Sequence, residues 1–214
     1  MTVPDNNGIA GLLRDRGSFE SKPFAKRLDE ASEVWVFAPS AVNILAQDHC
    51  EALRSKILSR SNGIVRVVVL DPAREDSLRL AVRQLDESVE YPSQTLTRAL
   101  GETLGRLALM ASWEVPGGFA YRLLDYNPGF SIVAIDPGRR HGVVIVEFHG
   151  FHNTSTTSRM HIELAKADSD RWHEYWLEQF DRIWRDAKEP ASNGSPSSSD
   201  RARGRLNAAT EAAG

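Results

Sequence analysis

The sequence reads as a layered α/β domain, a mixed β-sheet flanked by helices. Three observations carry that reading. Two compact β-rich apolar runs, 34–38 (VWVFA) and 64–70 (IVRVVVL), are joined by a stretch of helical spacing, as in a parallel βαβ unit. Strand-like runs separated by turn residues dominate from 119 onward. A last helix-spaced stretch then carries an aromatic stripe.

Each element has a local reason. Residues 1–17 are polar with scattered Gly and Pro, and loose chain is expected there, apart from a docking turn at Ile9, Leu12 and Leu13. A short helix is predicted over 22–31, with Pro23 at its first position and Phe24, Leu28 and Ala31 on one face. Over 42–60, Val42, Leu45, Ala46, His49, Leu53 and Ile57 line one helical side, and Asn62-Gly63 ends it. Leu78, Ala81, Val82 and Leu85 mark the next helix. Leu96, Ala99, Leu100, Thr103, Leu104, Leu107 and Ala108 mark another, capped by Ser93 and stopped by Pro116-Gly117-Gly118. Strands are predicted at 119–124, 130–135, 142–148 and 156–164. Asp136-Pro137-Gly138 with Arg139, Arg140 and His141 predicts a hairpin between two of them. Asp168 or Ser169 caps a final helix to 187, whose Trp172, Tyr175, Trp176, Phe180, Ile183 and Trp184 are expected to face a core. Beyond 190 the Ser-, Ala-, Gly- and Arg-rich composition cannot bury enough surface to offset its ordering entropy. The resulting division is a flexible segment over 1–19, a domain over 20–188 and a disordered tail over 189–214.

With 214 residues, 41% hydrophobic and 26% charged, the chain suits one domain with tails. No apolar run is long enough for a transmembrane helix, and the N-terminus lacks the pattern of a signal peptide. The single Cys50 excludes an internal disulfide framework and a Cys-cluster zinc site, and suits the reducing cytosol. A net charge of -3 gives no global attraction to nucleic acid or anionic membrane, so neither is an expected partner. There is no P-loop, GxGxxG or GxSxG sequence, and no cofactor is implied.

Open sheets bind ligands beyond the carboxyl ends of their parallel strands. Those ends deliver Ser40, Asn43 and Asp71. Ser40 at a helix start suits an anion, although a helix-cap role, which needs no ligand, is the better reading of Ser40 and of Asp71 taken singly. The hydroxyl-rich stretch 153–159 offers Ser155, Ser158 and Arg159 to a phosphate or sugar, or forms a polar edge. His149 and His152 stand an odd number of residues apart and would point to opposite strand faces, which argues against a shared metal. His161 reads as a half-buried strand residue, and Asp136 as a turn residue.

The segments EVWVFAPS (33–40), VRVVVLDP (65–72), FSIVAID (130–136) and the closing FDRIW (180–184), in that order, resemble phospholipase D-like domains, in particular bacterial ones that end some regulators. The resemblance spans 20–188 and implies a single half of that fold. The family signature is H-x-K-x4-D, in which the His attacks phosphorus and the Lys holds the phosphate. With its Asp placed on Asp136, Gly129 stands at the His and Ser131 at the Lys. The resemblance therefore implies that phosphohistidine chemistry is absent while a phosphate-sized polar cleft persists, with Ser131 and Asp136 among its ligand contacts. It also implies a homodimer, because single-copy members pair. The regulators' helix-turn-helix does not fit within 1–20. The leading expectation is a non-catalytic module that binds or senses a phosphorylated small molecule or nucleotide. The alternatives are a divergent phosphodiesterase or nuclease using His152 with Arg159 at a dimer cleft, and an interaction scaffold built on the Trp-rich helix.

Overall fold

Alternation along β3 (Ile64–Leu70) sets the two faces of the sheet. Val65, Val67 and Val69 are fully buried on one side, while Val68 and Arg66 lie on the other. The computed structural model describes residues 13–15, 23–86, 95–150 and 159–191. β2 (Glu33–Phe37) runs parallel to β3, and β3 runs parallel to β4 (Gly118–Leu124). The sheet then turns antiparallel through β5 (Phe130–Ile135), β6 (Val143–Phe148), β7 (Met160–Ala165) and the short β1 (Leu13–Asp15). Among the described residues the order is β1-β7-β6-β5-β2-β3-β4. The mixed α/β fold expected from the sequence is the fold found. Leu13–Asp15, within the stretch expected to be loose, pairs with β7 and closes one edge.

Four helices cover one face: α1 (Phe24–Arg27), α2 (Gln47–Ala52, continuing as a π-helix over Leu53–Leu58), α3 (Glu75–Leu85) and α4 (Leu96–Ala111). Phe24, Leu28, Leu53, Ile57, Ala81, Leu100 and Leu107 bring their apolar stripes onto the valines of β2 and β3. Burying such side chains contributes roughly 1.5–3 kcal/mol each before entropy is counted. Gly63 follows α2 because a Cβ there would stand 1.9 Å from the Ile57 carbonyl oxygen. The cap of α4 is Thr95, whose side chain accepts from the Arg98 N–H; the expected cap, Ser93, lies outside the described residues.

The single helix expected over 42–60 is two pieces. Ala41 takes a left-handed conformation (φ 52°), and Leu45 N–H closes one turn on the Ala41 carbonyl. The Val42 and Leu45 carbonyls then receive Arg106 of α4, at 3.3 and 2.9 Å, instead of helical N–H groups. The helix restarts at Gln47 after an extended Ala46. A half-buried tertiary partner has overridden a continuous helical pattern.

The opposite face carries α5 (Asp170–Asp186). Trp176 and Phe180 are buried against Phe37, Ile132, Val144 and Val146. Phe180 stacks on Trp35 at 5.0 Å. Arg66 and Arg122 lie over the indoles of Trp35 and Trp184 at 5.1 and 4.6 Å, so the charge inside β3 is placed on an aromatic face. The stripe of α5 divides, however: Trp172 is 62% and Tyr175 48% exposed, and His173 takes a fully buried position instead.

Candidate functional site

The helix-covered face changes character where the sheet turns antiparallel. β5 runs opposite to β2, so its first residues lie at the carboxyl ends of β2 and β3. Ile132, Val146 and Phe148 point towards α5, and the period of two sends Ser131, Glu147 and His149 to the other face. Ser131 pairs in register with Glu147, and Glu147 with His161. Arg159, His161 and Glu163 follow on β7 and just before it, and Glu163 is closed by Arg27 at 2.6 Å. That face, apolar over β2 and β3 and still apolar at Val133, Ile135 and Ile145, turns polar at Ser131 and Glu147 and along β7.

Four side chains form a chain at its edge. Ser131 Oγ lies 2.8 Å from His149 Nε2. His149 Nδ1 lies 3.3 Å from Asn127 Nδ2, which also donates to Gln84 Oε1 at 2.9 Å. Asn127 Oδ1 accepts the Gly129 N–H at 3.2 Å, and His149 N–H returns to the Gly129 carbonyl at 3.0 Å. Gly129 adopts φ +90°, which L side chains rarely adopt, so the turn favours glycine where the resemblance sets the family's His. His149 is 1% exposed. Burial, helped by the charge of Arg159, lowers its pKa to about 3, so the ring is neutral at physiological pH.

Arg159 donates to Glu147 at 3.4 Å, and its buried Nε finds no partner among the described residues. Nearby Asp86 accepts the Leu96 N–H at 2.8 Å. Burial raises the Asp86 carboxyl, against that bond and the field of Arg159. The arrangement supplies a hydroxyl, a guanidinium and a neutral imidazole at one sheet end. Among the described residues it holds no lysine and no exposed imidazole. Among the described residues, no group of three His, Cys, Asp or Glu side chains could hold a metal ion, and no helix is long and apolar enough to cross a membrane.

The expected contacts fall into three sets. Ser131 and Arg159, distant in sequence, are brought together through His149 and Glu147. Ser40, Asn43 and Asp71 lie beyond the ends of the parallel strands at the same sheet end, without a hydrogen bond to that pair. The helix start proposed for Ser40 is absent, because α2 begins at Gln47; the His49 ring contacts the Asn43 carbonyl rather than its side chain. Asp71 accepts from Ala73 N–H in a turn, and Arg74, not Asp71, precedes α3 as its cap.

Asp136 does not join them. It closes β5 at the opposite end, roughly 16 Å along the strand from Ser131. There it is 2% exposed and accepts from Ser32 N–H, Ser32 Oγ–H and Glu33 N–H at 2.8, 3.0 and 3.0 Å, with His141 at 3.2 Å. Burial works to raise its pKa, but these bonds outweigh burial and hold it below the usual carboxylate value. His152, Ser155 and Ser158 lie outside the described residues. Sequence reasoning passed over Asn127, Gln84, Glu147 and the role of His149. The alternation Val143, Ile145, Glu147, His149 was the available signal, since it places the histidine on the face of Ser131.

No protein-family model matches the chain, and no curated protein matches it in sequence. Among solved structures it is similar to Nuc, a phospholipase D family member of Salmonella typhimurium. That likeness has a TM-score of 0.45 and 11% identity, over 78% of this chain and 88% of that one. It is also similar to TrmBL2, an archaeal chromatin protein whose structure is described as showing a novel mode of DNA binding. There the TM-score is 0.44 and the identity 12%, over 83% of this chain and 53% of the other. The chain thus spans about half the length of TrmBL2.

Proposed function

We propose that the protein is a non-catalytic phospholipase D-like module that binds a phosphorylated small molecule or nucleotide at the Ser131–Arg159 end of its sheet, and that it serves a regulatory role. The observation that carries this reading is the state of His149. Among the described residues it is the histidine in contact with Ser131, and it is buried and engaged at Nε2, so it is not placed to attack phosphorus. Around it stand groups suited to holding an anion. Ser131 has a proton to give, and Arg159 carries a buried Nε–H without an acceptor among the described residues, an arrangement that costs about 1–3 kcal/mol until something meets it. An incoming phosphate shares Arg159 with Glu147. Ser40, Asn43 and Asp71 lie at the same sheet end, where further contacts to a larger ligand would fall.

Thermal melts of the full chain with inorganic phosphate and a nucleotide panel test this. A stabilisation that Arg159→Ala and Ser131→Ala abolish is expected, approaching about 2.7 kcal/mol at a hundredfold excess over Kd. Silence across the panel at millimolar ligand, or hydrolysis of a generic phosphodiester that His149→Ala or His152→Ala removes, would overturn it.

One observation favours a second reading, a homodimer or interaction scaffold. Trp172, Tyr175, Met160 and Phe148 are 62, 48, 48 and 41% exposed around α5 and the neighbouring strand ends, and exposed apolar patches mark interfaces. Sedimentation of the wild type beside a Trp172→Ser/Tyr175→Ser variant distinguishes the readings: a monomer in both removes the dimer.

A further inference from the structure

We propose that Asn127 locks His149 in the tautomer with hydrogen on Nε2, so that Ser131 meets its ligand as a hydrogen-bond donor and is not activated as a nucleophile. This rests on the reading of the site as a binding site. A serine within 2.8 Å of a histidine, itself backed by a third polar side chain, has the outline of a nucleophilic triad. What the group does depends on which ring nitrogen carries the hydrogen.

The backbone decides that. The Gly129 N–H can only donate, and it meets Asn127 Oδ1 at 3.2 Å. The amide orientation of Asn127 is therefore fixed, with Nδ2 facing both Gln84 Oε1 and His149 Nδ1. An amide nitrogen is a donor only, so Nδ1 of the neutral ring must accept. The ring hydrogen is then on Nε2 and is donated to Ser131 Oγ. Ser131 receives a hydrogen where a nucleophilic serine would give one up. Its own hydroxyl hydrogen is directed elsewhere, to an acceptor.

Two consequences follow for the ligand. The hydroxyl hydrogen of Ser131 is free for an unprotonated oxygen, as on a phosphate ester. Arg159 is donor-only, so a ligand that meets both it and the free hydroxyl hydrogen of Ser131 must supply acceptors. Asn127 is a positioning residue: it acts through His149 and need not touch the ligand.

Histidine-labelled full chain, studied by long-range proton–nitrogen NMR between pH 5 and 8, reads the tautomer directly, and loss of a signal in His149→Gln assigns it. The expected result is one pure Nε2–H ring across that range, and transfer of the hydrogen to Nδ1 in Asn127→Asp, where an acceptor replaces the donor. A native ring carrying hydrogen on Nδ1, or one that becomes charged near pH 6, overturns the lock. Should Asn127→Asp fail to fold, Asn127→Ala decides: a mixture of tautomers is expected, and an unchanged pure Nε2–H ring removes Asn127 from the argument. Titration with inorganic phosphate separates the two readings. An Nε2–H ring unmoved by millimolar phosphate keeps the lock and counts against binding, whereas a phosphate-shifted ring with hydrogen on Nδ1 keeps binding and sinks the lock.

Discussion

The two ends of β5 carry similar residues in opposite conditions. At one end, Asp136, Ser32 and His141 form a closed knot in which one carboxylate oxygen takes three hydrogens and the other faces the imidazole. At the other end, Ser131, His149 and Asn127 form a chain with a direction, and beside it the buried Nε of Arg159 is unmet among the described residues. The first cluster ties the start of β2 to the end of β5 and has little capacity left. The second is held by its own turn and still has hydrogens to offer. Residue type alone does not separate these two clusters; what differs is that the Asp136 oxygens are met and, among the described residues, the buried Arg159 Nε is not.

The largest effect should come from opening the knot. Asp136→Ala leaves three donors of Ser32 and Glu33 buried without an acceptor, and a loss of about 3–5 kcal/mol is expected in urea denaturation. Phosphate-induced stabilisation of whatever remains folded should persist, because the other end is untouched. If the substitution costs under about 1 kcal/mol, the two ends are not different in kind.

Acid sharpens the contrast. The pKa of His149 is about 3 when folded and 6.5 when free, so the unfolded state binds more protons between those values. Stability should therefore fall as pH drops below about 6.5, with a slope near 1.4 kcal/mol per pH unit from this residue. His173, held neutral chiefly by burial, adds in the same direction. His149→Gln should flatten the slope by one histidine's share. Asp136, with a lowered pKa, contributes stability that is present above about pH 4 and is lost only below it. Acid should thus weaken the Ser131 end first, as pH-dependent amide exchange on β5 and β6 would show.

Ser131→Ala leaves the Nε2 hydrogen of His149 without its acceptor and should cost about 1–3 kcal/mol, together with at least a tenfold loss in phosphate affinity by calorimetry. A full loss of stability with unaltered affinity would make Ser131 a purely structural residue. The smallest effect is expected at Asn43, whose side chain is exposed: Asn43→Ala should change stability by less than about 0.5 kcal/mol.

Much of this was legible in the sequence, for local reasons. The strand 64–70 matched residue for residue because a β-branched run closed by Asp-Pro admits little else. The strand 130–135 matched because a glycine turn and Asp136-Pro137 bound it. The helix over 42–60 lost its continuity at the first turn, since Arg106, 61 residues beyond Leu45, takes carbonyls that the pattern needed. At the candidate site, Ser131 is reached through the resemblance and Arg159 through the hydroxyl-rich stretch 153–159. Nothing local said that they would share a site, or that Asp136, five residues from Ser131, would not.

By itself the sequence determined the order of the elements from 24 onward, the parallel β2–β3 pair and the two-sided apolar patterning, because periodicity and turn chemistry act over a few residues. The tertiary structure alone decided which end of β5 meets β2, which histidine is buried against Ser131, and which carboxylate is consumed holding strands together. Those outcomes depend on pairing between distant strands, and register in a sheet assigns faces and neighbours that no short stretch of chain contains.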